Sequence, residues 1–356
     1  MANRAKFIDE RGPTSNSDVS IVPFHGWLLS MNESPIVHLH DPVTLEAVHE
    51  VDLRQSNKFD GLQIATMTAH GMFDINDGSF WNTAIGVDER SGSVPRVGIF
   101  VVKFPNATRS GPDGPFINRS SVDDILESIV VSDIIYVSNN PLDLNVPYYH
   151  MFAMTENYVV LPFTSVALDT THMYKELMNA RPMVTSLKFD PARPFTYHIF
   201  NKNTFKLEER VFETNPGICL HTINAFETSE GDIHLDTVIA GSGDVYQMYG
   251  YDVINATGSE LVELFESILP IGTAVSYTFK MSEIHHGHKP IYTPAVPLFD
   301  PHEETDHSWD GMLKNGLEFP ILDFGTKTGV EYEHFWANGF GSFMPDRLDL
   351  LLYNYK

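Results

Sequence analysis

Histidine is the side chain in this sequence with the most direct claim to chemistry, because a neutral imidazole can ligate a metal through one nitrogen while the other is pinned by a hydrogen bond. Sixteen are present, so most must be incidental. Three stand in strand-like, apolar surroundings: His70 in ATMTAHGMFD, His150 in PYYHMFAMTENYVVL and His221 in ICLHTINAFE. They follow one another at intervals of 80 and 71 residues. That spacing fits neither a compact zinc finger nor a helix-borne H-E-x-x-H pair. It suits ligands delivered one per structural unit to a common point, as the inner strands of a propeller could do. Spacing alone also fits three ordinary core histidines.

The elements that must carry these residues read as β. Short runs rich in Val, Ile, Phe, Tyr and Thr recur between Gly, Pro, Asn and Asp, the pattern of strands closed by turns. The clearest are Val19–Val22, Ile36–His40, Val97–Phe104, Ile129–Val137, Tyr158–Pro162, Thr196–Phe200, Ile233–Ile239 and Thr273–Met281. Turns are expected at His40-Asp41-Pro42 and Asn201-Lys202-Asn203. Helical pattern is confined to Ser259–Leu269, with Ser259 as N-cap, and more weakly to Thr171–Asn179. Many short strands without a composition break predict one all-β domain of sandwich or propeller type.

Composition removes several function classes. With 23 Lys and Arg against 47 Asp and Glu, the net charge is −24, the wrong sign for a nucleic-acid surface or for attraction to anionic lipid headgroups. The single cysteine, Cys219, precludes an intramolecular disulfide and reads as a buried thiol. The N-terminus lacks the apolar stretch of a signal peptide, and no run reaches the length of a membrane-spanning helix. A soluble cytoplasmic protein is the default expectation, and the sequons at Asn32, Asn106, Asn118 and Asn255 read as chance.

The words around the three histidines resemble the signature segments of the carotenoid cleavage oxygenases. Thr68-Ala69-His70 resembles a T-A-H-P word, with Gly71 in place of the proline. His150, Phe152, Thr155, Asn157 and Tyr158 match H-x-F-x-x-T-x-N-Y, and His221, Asn224, Ala225, Phe226 and Glu227 match H-x-x-N-[AT]-[FWY]-[ED]. Glu318-Phe319-Pro320 resembles the family's E-F-P word, and Glu33 precedes a D-P-x-T-L-E turn, here Asp41 to Glu46. Pro345-Asp346-Arg347-Leu348 matches a late P-D-R-L word. The likeness runs from about Pro13 to Leu352.

The resemblance implies a seven-bladed-type β-propeller and a catalytic Fe(II), one per subunit, with His70, His150 and His221 as metal ligands. Glu33 and Glu318 are then partners that accept from the ligand rings. It further implies O2 as co-substrate, an apolar polyene as substrate, and cleavage of a conjugated double bond into two carbonyl products. Family members continue beyond the P-D-R-L word to a third outer glutamate and a fourth ligand histidine. This chain reaches Lys356 first and also lacks the family's opening strands, so it is expected to be an incomplete propeller. Two alternatives follow: an inactive fragment or carotenoid- or lipid-binding pseudoenzyme without the fourth histidine, or a sibling activity such as stilbene cleavage or retinoid isomerisation. The segment after Pro162 mixes Asp169, Lys175 and Glu176 with apolar residues, implying at most weak peripheral membrane contact.

Other clusters are expected to be solvated. Glu283 to His288 and Pro301 to His307 read as polar loops, His38 and His40 as strand residues beside a turn, and Glu156 as a turn residue.

Overall fold

Alternating β-branched and aromatic residues form pleated strands because one face of each can be buried while turns of Gly, Asn and Asp reverse the chain. The computed structural model describes residues 8–9, 12–13, 19–90, 96–107, 119–136, 145–148, 150–178, 183–240, 257–260, 272–283, 289–298, 317–322, 326–339 and 349–354. They fall into two compact units, Met1–Val146 with Tyr174–Arg181, and Pro147–Met173 with Pro182–Lys356.

In the first unit Ser20–Phe24, Trp27–Met31, Ile36–His40 and Ala47–Asp52 form a four-stranded antiparallel meander. Its first hairpin turns on His25 and Gly26, both at positive φ (49° and 82°), the backbone a two-residue primed turn requires. Asp41 closes the expected turn by accepting the Val43 and Thr44 N–H groups at 2.7 and 2.9 Å. A second sheet is built on Leu62–Met67, Phe80–Asp88 and Arg96–Phe104. The two sheets share one core in which Phe24, Leu29, Leu39, Phe80, Phe100 and Phe104 are buried. The expected strand Ile129–Val137 is instead two short pieces, Val130–Val131 and Ile135–Tyr136. Ser132 interrupts it because its hydroxyl, rather than a ladder carbonyl, accepts the Val101 N–H at 2.9 Å.

Among the described residues, three sheets of at least three strands lie wholly within the second unit. One orders Ala153–Met154, Tyr158–Phe163, Phe195–Asn201, Lys206–Thr214 and Ile291–Tyr292; the next Ile218–Glu227, Ile233–Ala240, Thr273–Phe279 and Val296–Pro297; the third Leu317–Ile321, His334–Gly339 and Asp349–Asn354. Each keeps its main strands in antiparallel sequence order, the construction of a propeller blade, and buried side chains join the first sheet to the second and the second to the third. Ile218–Glu227 is buried along nine of its ten residues. It therefore reads ICLHTINAFE, without the alternation of a half-exposed strand.

Helix is scarce among the described residues. Thr170–Met178 matches the weaker sequence expectation. Val122–Ser128 was not foreseen; Ser121 and Asp124 form a capping box at its start, an arrangement that typically contributes about 1 kcal/mol. The helix expected at Ser259–Leu269 lies outside the described residues beyond Glu260.

Burial in the second unit makes stability depend on acid. The His198 ring lies against Phe163 with centroids 4.1 Å apart, and burial lowers its pKa to about 4. An unfolded histidine titrates near 6.5. The unfolded chain therefore binds the proton first, and stability falls as pH drops from about 6.5 towards 4. Urea unfolding at pH 7 and pH 4.5 should show this loss in the parent protein, and His198→Phe should reduce it. Equal acid sensitivity in both proteins would disprove the assignment.

Candidate metal centre

His221 sits in the buried Ile218–Glu227 strand and is 5% exposed. Its carbonyl accepts from the Thr237 hydroxyl at 3.1 Å, which fixes the backbone on the neighbouring strand. His150 lies just before Ala153–Met154 and is half-buried. The two rings meet edge to face, with centroids 5.0 Å apart and planes at 87°, and each offers a ligand nitrogen within 4.8 Å of the other's. Two neutral imidazoles converging in this way suit iron, zinc, copper or nickel rather than the oxygen-seeking magnesium or calcium. The donor chemistry therefore fits a resident iron.

The residues around the pair act as a clamp. The hydroxyl of Thr222, the residue after His221, donates to the Phe152 carbonyl at 3.0 Å. Glu227 at the far end of that strand accepts from the Thr155 hydroxyl (2.6 Å), the Asn157 backbone N–H (2.8 Å) and the Asn157 side-chain amide (2.9 Å). Asn224 donates to the carbonyls of Lys327 and Val330 and accepts from the Gly329 N–H. Thr155, Asn157 and Glu227 thus hold one histidine word against the other, while Asn224 ties the second word to residues 327–330.

Tyr148 is a site residue that sequence reasoning missed. Its hydroxyl lies 3.3 Å from His150 Nδ1. With Nδ1–H donating to that hydroxyl, Nε2 keeps its lone pair for a ligand. The signal in the sequence is the i, i+2 spacing of Tyr148 and His150.

His70 and Glu33 belong to the first unit. The His70 N–H donates to the Thr68 hydroxyl at 3.1 Å, and the Asn82 amide donates to the Thr68 carbonyl at 3.0 Å. The Ser20 hydroxyl donates to the Ala69 carbonyl. Glu33 lies in the turn before Ile36–His40, where its carbonyl accepts the Met67 N–H at 3.4 Å, beside the strand that leads to His70. Gly71 replaces the family's proline for a steric reason: a Cβ there would stand 2.0 Å from Cζ of Phe80, whose ring is 1% exposed. Phe80 fills the space a side chain would need.

Glu318 pairs with Asn338 in the third sheet of the second unit, but its side chain and the P-D-R-L word lie outside the described residues. So do His285, His286, His288, His302 and His307. His38 lies 3.5 Å from Glu50, and His40 Nε2 lies 2.7 Å from the Ser30 hydroxyl; both have local partners, as a strand face predicts. Glu156 is an exposed turn residue whose carbonyl accepts from Lys202 at 2.8 Å. Cys219 is fully buried, 3.0 Å from the Thr237 hydroxyl. Among the described residues no helix is long and apolar enough to cross a membrane.

Known proteins resemble the chain along most of its length. A carotenoid-cleaving dioxygenase named as mitochondrial, from Macaca fascicularis, is 23% identical over 94% of this chain and 58% of its own length. A β,β-carotene 15,15'-dioxygenase from Mus musculus is 26% identical over 91% of this chain and 54% of its own. The chain thus spans a little over half the length of these relatives. Among solved structures, a lignostilbene dioxygenase from Pseudomonas brassicacearum superposes with a TM-score of 0.56 at 20% identity, covering 94% of this chain and 55% of that one. An apocarotenoid oxygenase from Synechocystis gives 0.58 at 15% identity, covering 99% and 60%. The fold is therefore the all-β propeller type of the carotenoid oxygenases. The family described as retinal pigment epithelial membrane protein matches residues 4–350, and the chain belongs to that family of carotenoid oxygenases.

Proposed function

We propose that this chain carries the iron centre of a dioxygenase that cleaves a conjugated double bond of a carotenoid or apocarotenoid with O2, giving two carbonyl products. The observation that carries the reading is the edge-to-face pair of His150 and His221, held together by the polar residues of the family's own words. His70 is proposed as a third ligand, and Glu33 and Glu318 as acceptors that orient ligand rings; these three assignments rest on the sequence words.

Iron(II) bound there would supply the electrons that make O2 reactive towards a polyene. The protein's own part is to bind and orient. Tyr148 holds His150 through its Nδ1, the Thr222 and Glu227 contacts set the spacing of the two imidazoles, and burial of His221 keeps water from one side of the pair. An all-imidazole set leaves the ion's charge uncompensated by ligands, so hydrogen-bond acceptors around the rings become the means of raising ligand basicity.

The test is to load the purified chain with iron(II), add an apocarotenoid under 18O2 and analyse the products by mass spectrometry. Aldehyde or ketone fragments that both carry the label are expected. Iron-loaded protein that leaves the polyene intact, or yields carbonyls without label, would refute the reading.

A further inference from the structure

Five described residues other than glycine have positive φ: His25, Leu45, Asn106, Phe205 and Phe319. Four of them lie in turns or directly after one. Phe319, at φ 52°, alone lies inside a strand, Leu317–Ile321. The register explains how: Glu318 pairs with Asn338 and Ile321 with Trp336, so Phe319 and Pro320 together stand opposite Ala337. This is a bulge with its first residue in the left-handed region, a place ordinarily given to glycine. The following Pro320 adds a second restriction, since the residue before a proline prefers extended backbone. Two local rules are broken at one residue.

Burial of the Phe319 ring does not account for this, because the residue remains 43% exposed. What the conformation achieves is a contact. The Phe319 ring lies with its centroid 5.1 Å from that of His221, planes at 45°, while His150 meets the same imidazole edge to face. His221 is thereby in contact with two rings. Strain kept at one point is an indication of use there. We infer that Phe319 is a positioning residue: its strained backbone places an aromatic ring against His221 and fixes the imidazole in the orientation that a metal needs. The inference rests on the metal-centre reading above for its purpose, but the contact can be tested without a metal.

Two measurements on the full chain decide it. Cobalt(II) is used as the spectroscopic probe, and side-chain 13C relaxation of the His221 ring is recorded on metal-free protein. Phe319→Ala and Phe319→Gly are expected to weaken cobalt binding about tenfold, the size of effect seen when a ligand's support is removed, and to change the cobalt visible spectrum. Both should also loosen the His221 ring in the metal-free state. Phe319→Tyr should restore both properties. The strain has its own signature: the glycine variant should melt about 2–4 °C above the alanine variant, because alanine retains the left-handed penalty and glycine does not.

Unchanged ring order and unchanged cobalt affinity in Phe319→Ala would overturn the inference. Parent protein that takes up no cobalt would instead remove the metal-centre reading, and the relaxation measurement would still decide whether Phe319 holds His221.

Discussion

Replacing His221 with alanine is expected to lower iron(II) affinity by more than about 100-fold and to reduce product formation to background, because even partners behind a ligand are worth 10–100-fold. The argument starts from position. His221 is 5% exposed on a strand buried along nearly all its length, so a replacement ligand would have to enter the interior. Its backbone is tied by Thr237 and the next residue by Phe152, so the strand should stay in place when the ring is removed. Loss of binding would then report the missing ligand and not a displaced one. Stability should fall too, by about 2–4 kcal/mol, as for other buried large-to-small changes. The two effects separate through linkage: a ligand that binds only the folded state raises the melting temperature. Iron(II) should therefore raise the melting temperature of the parent protein and leave that of His221→Ala unmoved. If iron raised both equally, His221 would not be a ligand.

The carotenoid-oxygenase words and most strands were legible in the sequence, and for physical reasons. Ile36–His40 needs no correction, and Val97–Phe104 and Thr196–Phe200 extend by a residue or two, because alternating β-branched and aromatic residues have few other ways to be buried. Ile129–Val137 failed because side-chain chemistry at Ser132 competes with the ladder, which periodicity cannot register. The helix Val122–Ser128 carried its capping signal in plain view, but seven residues give too short a period to recognise. At the site, sequence words identified the histidines but not the work of their neighbours. Thr155, Asn157, Asn224 and Glu227 form bonds between segments about 70 to 106 residues apart, and such partners become visible only when the fold brings them together. Phe319 is the opposite case: a local preference would put it in extended backbone, and tertiary structure overrides that preference.

Glu227→Ala should be among the most destabilising substitutions outside the hydrophobic core, and Glu227→Gln should be worse than an isosteric change usually is. The carboxylate accepts three hydrogen bonds, one from Thr155 and two from Asn157. Bonds to a charged acceptor contribute about 1.5–3 kcal/mol each, and members of one network do not add, so a loss of about 2–4 kcal/mol is expected for alanine. Glutamine keeps an acceptor for Thr155 and the Asn157 N–H, but it places an NH2 group opposite the Asn157 amide NH2. Asn157 cannot relieve this by flipping its amide, because its Oδ1 already accepts from Asn203 at 2.8 Å; a flip would face two donors at that end. Glutamine should therefore cost about 1 kcal/mol, one half-buried donor left unsatisfied. Urea titration of both variants and of Asn157→Ala, combined in a double-mutant cycle, measures the coupling directly. A coupling near zero would mean that the two histidine words are held together by packing alone. A large coupling, accompanied by weaker cobalt binding in Glu227→Gln, would show that a carboxylate at the far end of the strand governs the spacing of His150 and His221.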